Sequence, residues 1–142
     1  MRSLREQLRS NAVALISLAV ALTSLGYNTW RNERTEHNRN VRTAAFEILT
    51  KLSEFERVVY LAQYDRDVTA GNPRIGWTLV IVIRDLSQVV PGSVPAVADQ
   101  LSGAWRENWE NLGKDDEAAV TRIDDAITKL RDATLATLRK LS

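Results

Sequence analysis

Residues 10–30 read SNAVALISLAVALTSLGYNTW and contain no charged side chain, although 26% of the whole chain is charged. At a helical rise of about 1.5 Å per residue, this segment reaches about 30 Å, the thickness of a bilayer's hydrocarbon core. Arginines flank it on both sides, at Arg2, Arg5, Arg9, Arg31 and Arg34. The pattern predicts a transmembrane helix over residues 10–30 that follows a basic tail over residues 1–9.

The ends of this segment carry the side chains that favour a lipid–water boundary. Tryptophan and tyrosine combine an apolar ring with a polar tip, and arginine extends its charge from the boundary into water. We therefore predict membrane-interface anchors at Arg9, Tyr27, Trp30 and Arg31.

Two other structures could explain the apolar run. Ala19-Val20-Ala21 resembles the cleavage site of a secretory signal, but the uncharged run continues to Trp30 and ends in aromatic residues, which favours an uncleaved anchor. A buried core helix would need a larger protein around it, because a helix that is apolar on every side must be covered completely.

Two stripes run along the predicted helix. The first is mainly leucine at spacings of three and four, as in a coiled-coil seam. The second combines small and polar residues, which let helix backbones approach closely in lipid and form hydrogen bonds across the contact. A chance arrangement of ordinary membrane-helix residues is the alternative. We predict a helix–helix interface at Asn11, Ala14, Ser17, Ala21, Ser24 and Asn28.

Composition narrows the function classes. Of 19 basic and 18 acidic residues, 16 and 17 follow residue 30, and this balance gives no reason to expect nucleic acid as a partner. The chain has no cysteine, which excludes disulfides and thiolate metal sites. Three arginines precede the apolar run, and moving them across a membrane is unfavourable. We therefore predict a single-pass protein of the cell (inner) membrane with its C-terminal domain on the non-cytoplasmic side.

Residues 31–40 are polar on every side and form either a helical stalk or a local bend. A helical stripe follows, and Phe46, Leu49, Val58 and Leu61 broaden it into a face suited to a bundle core. The stripe consists of Val41, Ala45, Ile48, Leu52, Phe55, Val59 and Ala62. Residues 64–76 contain Gly71, Asn72, Pro73 and Gly76 and are predicted to be a connection.

Residues 77–90 are ambiguous, because a run of β-branched residues favours a buried strand whereas Leu79, Ile83, Leu86 and Val90 fit one helical face. No partner strand is evident, so we predict a helix. Another helix begins after Ser93 as its cap and ends at Gly113, and Asp115 or Asp116 caps the last. The fold class is therefore all-α, with one transmembrane helix followed by a small antiparallel bundle of about four helices over residues 41–142.

Candidate chemical sites are few. A calcium-loop match at residues 65–76 fails, because Ala70 and Gly76 occupy the positions of the required glycine and glutamate. His37 has no converging partners, and Asp124 and Asp125 point about 100° apart on a helix. We therefore predict no catalytic site, no cofactor and no metal. Three tryptophans, Trp77, Trp105 and Trp109, are candidates either for the bundle core or for contact with a partner.

These patterns favour a noncatalytic membrane protein, an oligomerising or accessory component of a membrane assembly. Its predicted partners are membrane lipid and either other membrane subunits or a second copy of itself. The alternative is a membrane-anchored sensory or ligand-binding bundle, with a pocket near Trp77 or near Trp105 and Trp109, that signals through a partner.

Overall fold

The computed structural model describes residues 11–114 and 116–141, and that part of the chain contains four α-helices and no β-strand. The helices are α1 (Ala12–Tyr60), α2 (Pro73–Ser87), α3 (Val94–Asn108) and α4 (Glu117–Lys140). The all-α prediction is confirmed. The predictions for the tail at residues 1–9, which includes Arg9, and for Asp115 lie outside the described residues.

The chain divides into two compact units, Met1–Asn38 and Arg39–Ser142. The described part of the first unit is helical from Ala12 onward, and the backbone carbonyl of Asn11 accepts a hydrogen bond from Leu15 N–H at 3.0 Å. Residues 31–40 are helical as well.

The core of the second unit is built on the predicted stripe of α1. Six members of this stripe are completely buried, namely Val41, Ala45, Ile48, Leu52, Phe55 and Val59. Val58 is buried beside them, but Phe46 is 60% exposed. The prediction that Phe46 broadens the core face was wrong. At 100° per residue, Phe46 lies about 140° round the helix from the centre of the buried stripe.

Polar contacts between helices show how the second unit is arranged. On α4, Arg131 Nη2 donates to Glu56 Oε2 of α1 at 2.7 Å, and the Arg42 guanidinium of α1 donates to the Leu141 carbonyl. Glu56 follows Arg42 along α1, whereas its partner Arg131 precedes Leu141. Helix α1 and the C-terminal segment therefore run antiparallel. Between α2 and α3, Arg84 Nε donates to Asp99 Oδ1 at 2.8 Å.

Helix α2 begins earlier than predicted. Pro73 to Gly76 form its first turn, although the sequence predicted a connection there. Asn72 Oδ1 accepts a hydrogen bond from Arg74 N–H at 2.9 Å, and proline suits the first helical position because it has no N–H to satisfy. Gly76, which suggested a loop in the sequence, lies against the side chain of Trp105. The prediction of a helix within residues 77–90 is confirmed as far as Ser87.

The remaining helix ends differ in how they are capped. Ser93 is the N-cap residue of α3, as predicted, but its side chain forms no capping hydrogen bond, and its carbonyl accepts from Val97 N–H. Helix α3 ends at Asn108 rather than at Gly113, because a 3₁₀ turn, Trp109–Asn111, follows. Asp116 caps α4 as predicted, since its Oδ1 accepts from Ala119 N–H at 3.1 Å.

Candidate membrane and partner surfaces

The apolar segment of the first unit is uncovered in the structure. From Val13 to Trp30 every side chain is exposed, including the large apolar ones. These are Val13, Leu15, Ile16, Leu18, Val20, Leu22 and Leu25. Among the described residues, this is the one helix long and apolar enough to cross a membrane. A core helix of a soluble protein can be as long and apolar but is mostly buried, whereas an N-terminal signal sequence can share both the length and the composition of this segment.

Aromatic and basic side chains interact at the C-terminal end of this segment. The rings of Tyr27 and Trp30 lie 6.2 Å apart, and the Arg34 guanidinium lies 5.6 Å from the centre of the Trp30 ring. A cation over an aromatic face gains about 0.5–1 kcal/mol when exposed. Arg34 was not among the predicted anchors, although its position one helical turn after Trp30 was the signal for this contact. Arg31 is exposed beside them.

Asn11, on the leucine stripe, is exposed, and so is the small and polar stripe from Ala14 through Asn28. Its hydroxyls differ from those of the neighbouring threonines. Thr23 and Thr29 donate to the carbonyls of Ala19 and Leu25 at 2.8 and 3.0 Å, which satisfies their donors within the helix. Within the described residues, neither Ser17 nor Ser24 makes such a bond, so their hydroxyls are available to a neighbouring helix.

The three candidate tryptophans occupy different environments. Trp105 is completely buried, and its ring lies 5.1 Å from Phe55 and 6.4 Å from Trp77, in both cases edge to face. Trp77 packs against the core while partly exposed. The Trp105 Nε1–H has no hydrogen-bond partner among the described residues. Trp105 is therefore a core residue that an external partner cannot reach.

Trp109 is also partly exposed and packs against the core, and it borders a surface cleft of about 270 Å³. The other walls of the cleft come from the π-helical turn Leu61–Asp65 that follows α1, from the connection to α2 with the first residue of that helix, and from the turn before α4. The residues are Ala62, Arg66, Asp67, Val68, Gly71, Pro73, Leu112 and Gly113. Gln63 Oε1 accepts from Gly113 N–H at 2.9 Å and joins two of these segments. The cleft is the described site that best matches the predicted ligand pocket near Trp109.

A group of ionisable side chains lies between α1 and α4. Glu56 pairs with Arg131 at 2.7 Å, and Tyr60 and Asp124 lie next to that pair. Burial raises the pKa of Asp124, the Glu56 charge raises it further, and the Tyr60 hydroxyl opposes the shift. Asp124 Oδ1 has no hydrogen-bond partner within the described residues. Burial and the negative charges of Asp124 and Glu56 raise the pKa of Tyr60.

We predict that Asp124→Asn removes a pH dependence of stability. Because the folded-state pKa of Asp124 lies above its ordinary value of 3.8, the folded protein binds more protons than the unfolded chain just above that value. Its free energy of unfolding therefore falls as pH rises from about 3.8 to the folded-state pKa. Asp124→Asn should remove this fall and stabilise the protein at pH 7 by up to about 1 kcal/mol.

Thermal unfolding from about pH 3.5 to about pH 7 measures this effect. Asp132→Asn is the matched control, because it removes the same charge from an exposed position about two helical turns further along α4, and its charge is not among those that raise the pKa of Asp124. An equal fall in stability for wild type and Asp124→Asn would contradict the assignment. The sequence did not predict this group, since its members come from two helices that are distant in the chain.

The described residues hold no cluster of three or more His, Cys, Asp or Glu side chains placed for a metal ion. His37 is exposed on α1, and Asp124 and Asp125 differ in exposure, as expected of neighbours on a helix. Comparisons with protein-family models, curated proteins and solved structures give no match to this chain.

Proposed function

We propose that this protein is a noncatalytic single-pass membrane protein, an oligomerising or accessory component of a membrane assembly. The observation that carries the proposal is the exposed apolar surface of α1 from Val13 to Trp30. Transfer of apolar surface out of water is favourable by about 25 cal/mol per Å². A segment with this much apolar surface is unstable in water unless lipid or another protein covers it.

The partners are membrane lipid and either other membrane subunits or a second copy of the chain. Support comes from the stripe of small and polar residues, where Ser17 and Ser24 have hydroxyls without an intrahelical acceptor. Small side chains let two helices pack closely, and hydroxyl or amide bonds across such a contact contribute about 1–2 kcal/mol. Asn28 at the end of the stripe and Asn11 on the neighbouring leucine stripe would add amide donors and acceptors.

The proposed location is the cell (inner) membrane, with the second unit on the non-cytoplasmic side. The arginine-containing tail favours retention of the N-terminus in the cytoplasm. Tyr27, Trp30 and Arg34, which contact one another, would lie at the boundary on the side of the second unit. Reporter fusions to the C-terminus measure this orientation.

The association prediction is tested by Ser17→Leu combined with Ala21→Leu. Two bulky side chains at this position of the stripe should separate the helix backbones and weaken association about tenfold, equivalent to about 1.4 kcal/mol. The measurement is the fraction of self-associated or partner-bound protein after solubilisation in mild detergent.

The matched control is Ala12→Leu combined with Ala19→Leu. At 100° per residue, these alanines lie on the opposite side of the helix from Ser17 and Ala21. Association should persist in the control. Unchanged association in the test variant would exclude this stripe as the contact, and a wild-type monomer without any co-purifying protein would contradict the accessory role.

A ligand-binding or sensory bundle is the second candidate function, because the cleft beside Trp109 has apolar walls with Arg66 and Asp67 at its edge. The same purification separates the two functions. A small molecule that co-purifies with a monomeric chain favours the ligand-binding bundle, whereas a bound protein subunit favours the accessory role.

A further inference from the structure

One end of the second unit carries only positive charge. This end is formed by residues 39–46 of α1 and residues 135–141 of the C-terminal segment, and we refer to it as the basic end. Its two segments contain four basic residues and no acidic residue. The basic residues are Arg39, Arg42, Arg139 and Lys140, and all of them are exposed.

The two segments of the basic end are in contact. The Arg42 guanidinium donates to the carbonyl of Leu141 and joins the end of the C-terminal segment to α1. Beside this bond lies a groove of about 270 Å³, lined by Arg42, Phe46, Leu135, Leu138 and Arg139. The exposed Phe46 ring lines one wall. The groove therefore combines guanidinium groups with the exposed Phe46 ring and the partly exposed side chains of Leu135 and Leu138.

Local structure explains part of this arrangement. Cations are favoured at the C-terminal end of α4 by the helix dipole, which accounts for Arg139 and Lys140. The dipole does not account for Arg39, nor for the exposed Phe46. The nearest acidic residues compensate this charge only in part. Glu36 lies about one helical turn before Arg39, Glu47 lies 3.8 Å from Lys51, and Asp132 lies two helical turns before Arg139.

We infer that the basic end docks on a bilayer surface that contains anionic phospholipid headgroups. Phosphate groups complement the four cations, and each basic side chain near such a surface strengthens binding about fivefold. The Phe46 ring suits the boundary between headgroups and acyl chains. The inference rests on the proposed transmembrane segment, since nine residues of chain keep Arg39 within about 32 Å of Trp30.

The full-length chain can be tested directly because it contains no cysteine. Ala136→Cys, exposed within the basic end, receives a nitroxide label, and Val68→Cys, 84% exposed, is the reference. The labelled proteins are reconstituted in phosphatidylcholine vesicles with or without phosphatidylglycerol. Collision rates with oxygen and with a water-soluble nickel complex then report contact with lipid. We expect the Ala136 label to move from water to the headgroup region only when phosphatidylglycerol is present.

Arg39→Gln, Arg139→Gln and Lys140→Gln together should lower the docking equilibrium constant about a hundredfold and remove this response. Arg42 is retained because it holds the Leu141 carbonyl. The matched control is Arg74→Gln, Arg106→Gln and Lys129→Gln, which removes three exposed charges elsewhere and should leave the response unchanged.

Different failures have different meanings. Equal label exposure in both kinds of vesicle would overturn the inference while leaving the transmembrane segment intact, provided the protein resists alkaline carbonate extraction. Extraction by carbonate would instead contradict the proposed function itself. If the triple substitution releases a co-purifying protein and changes no lipid response, the basic end binds protein, and the inference is also overturned.

Discussion

Gly76→Ala is expected to lower the free energy of unfolding of the second unit by about 3 kcal/mol. A Cβ at this position would lie 2.4 Å from Trp105 Cζ2, which is shorter than any van der Waals contact. The tryptophan cannot move aside easily, because it is completely buried and contacts the rings of Phe55 and Trp77. Thermal unfolding followed by circular dichroism in mild detergent should show a loss of about 10 °C or more.

Gly103→Ala is the matched control on helix α3. A Cβ there meets no atom within 4 Å, so the substitution should stabilise the protein by about 0.5–1 kcal/mol through helix propensity alone. Gly76→Ala and Gly103→Ala are therefore predicted to change the free energy of unfolding in opposite directions. Equal effects at Gly76 and Gly103 would contradict the close contact between α2 and Trp105.

A double-mutant cycle separates this contact from a general loss of helix stability. Trp105→Phe removes the six-membered indole ring atoms that a Cβ on residue 76 would meet. It should cost stability alone, yet reduce the additional cost of Gly76→Ala by at least about 1 kcal/mol. Additive effects of the two substitutions would mean that the glycine and the tryptophan do not share the predicted contact.

The second prediction with a large expected effect concerns membrane integration of the apolar segment at residues 10–30. Leu18→Arg combined with Leu22→Arg places two charges near the middle of residues 10–30, and each costs about 2.5–3.5 kcal/mol in a transmembrane helix. We expect the variant to lose membrane integration, measured as the fraction that resists alkaline carbonate extraction. Full retention of the variant in the carbonate-resistant fraction would contradict a transmembrane segment here.

Leu18→Ile combined with Leu22→Ile is the matched control, since it changes side-chain shape without adding charge and should remain integrated. N-terminal sequencing of the mature wild-type protein separates an anchor from a cleaved signal. Residues 10–30 remain attached if they are an anchor, whereas cleavage after Ala21 would leave a chain without most of this segment.

The sequence predicted the helices well where apolar residues recurred at helical spacing over several turns. The stripe from Val41 to Val59 identified the buried face of α1, because residues three and four apart share one side of a helix. The secondary structure of residues 77–90 was harder to predict. Their β-branched residues favour a strand, but they do not alternate regularly with polar residues. Their helix is favoured by the cap at Asn72 and by the close packing of Gly76, which a strand would not provide.

Trp105 and Trp109 illustrate what spacing could not decide. They lie one helical turn apart in sequence, but α3 ends between them at Asn108. The Asn108 side chain donates to the Ala104 carbonyl at 2.8 Å and accepts from Arg122 of α4 at 3.0 Å. Trp105 is completely buried, whereas Trp109 packs against the core while partly exposed and borders a surface cleft. The interaction with Arg122 depends on how α3 and α4 pack, and no pattern within α3 reveals it.

The sequence by itself determined the helical class, the apolar segment at residues 10–30 and the face of α1 that is buried. Each follows from composition or from spacing along a single helix, and these are local properties. Only the tertiary structure decided that Phe46 stays exposed, that Asp124 lies beside Glu56 and Tyr60, and that Arg42 meets Leu141 at the basic end. These contacts join residues distant in the chain, so they depend on the packing of whole helices against one another.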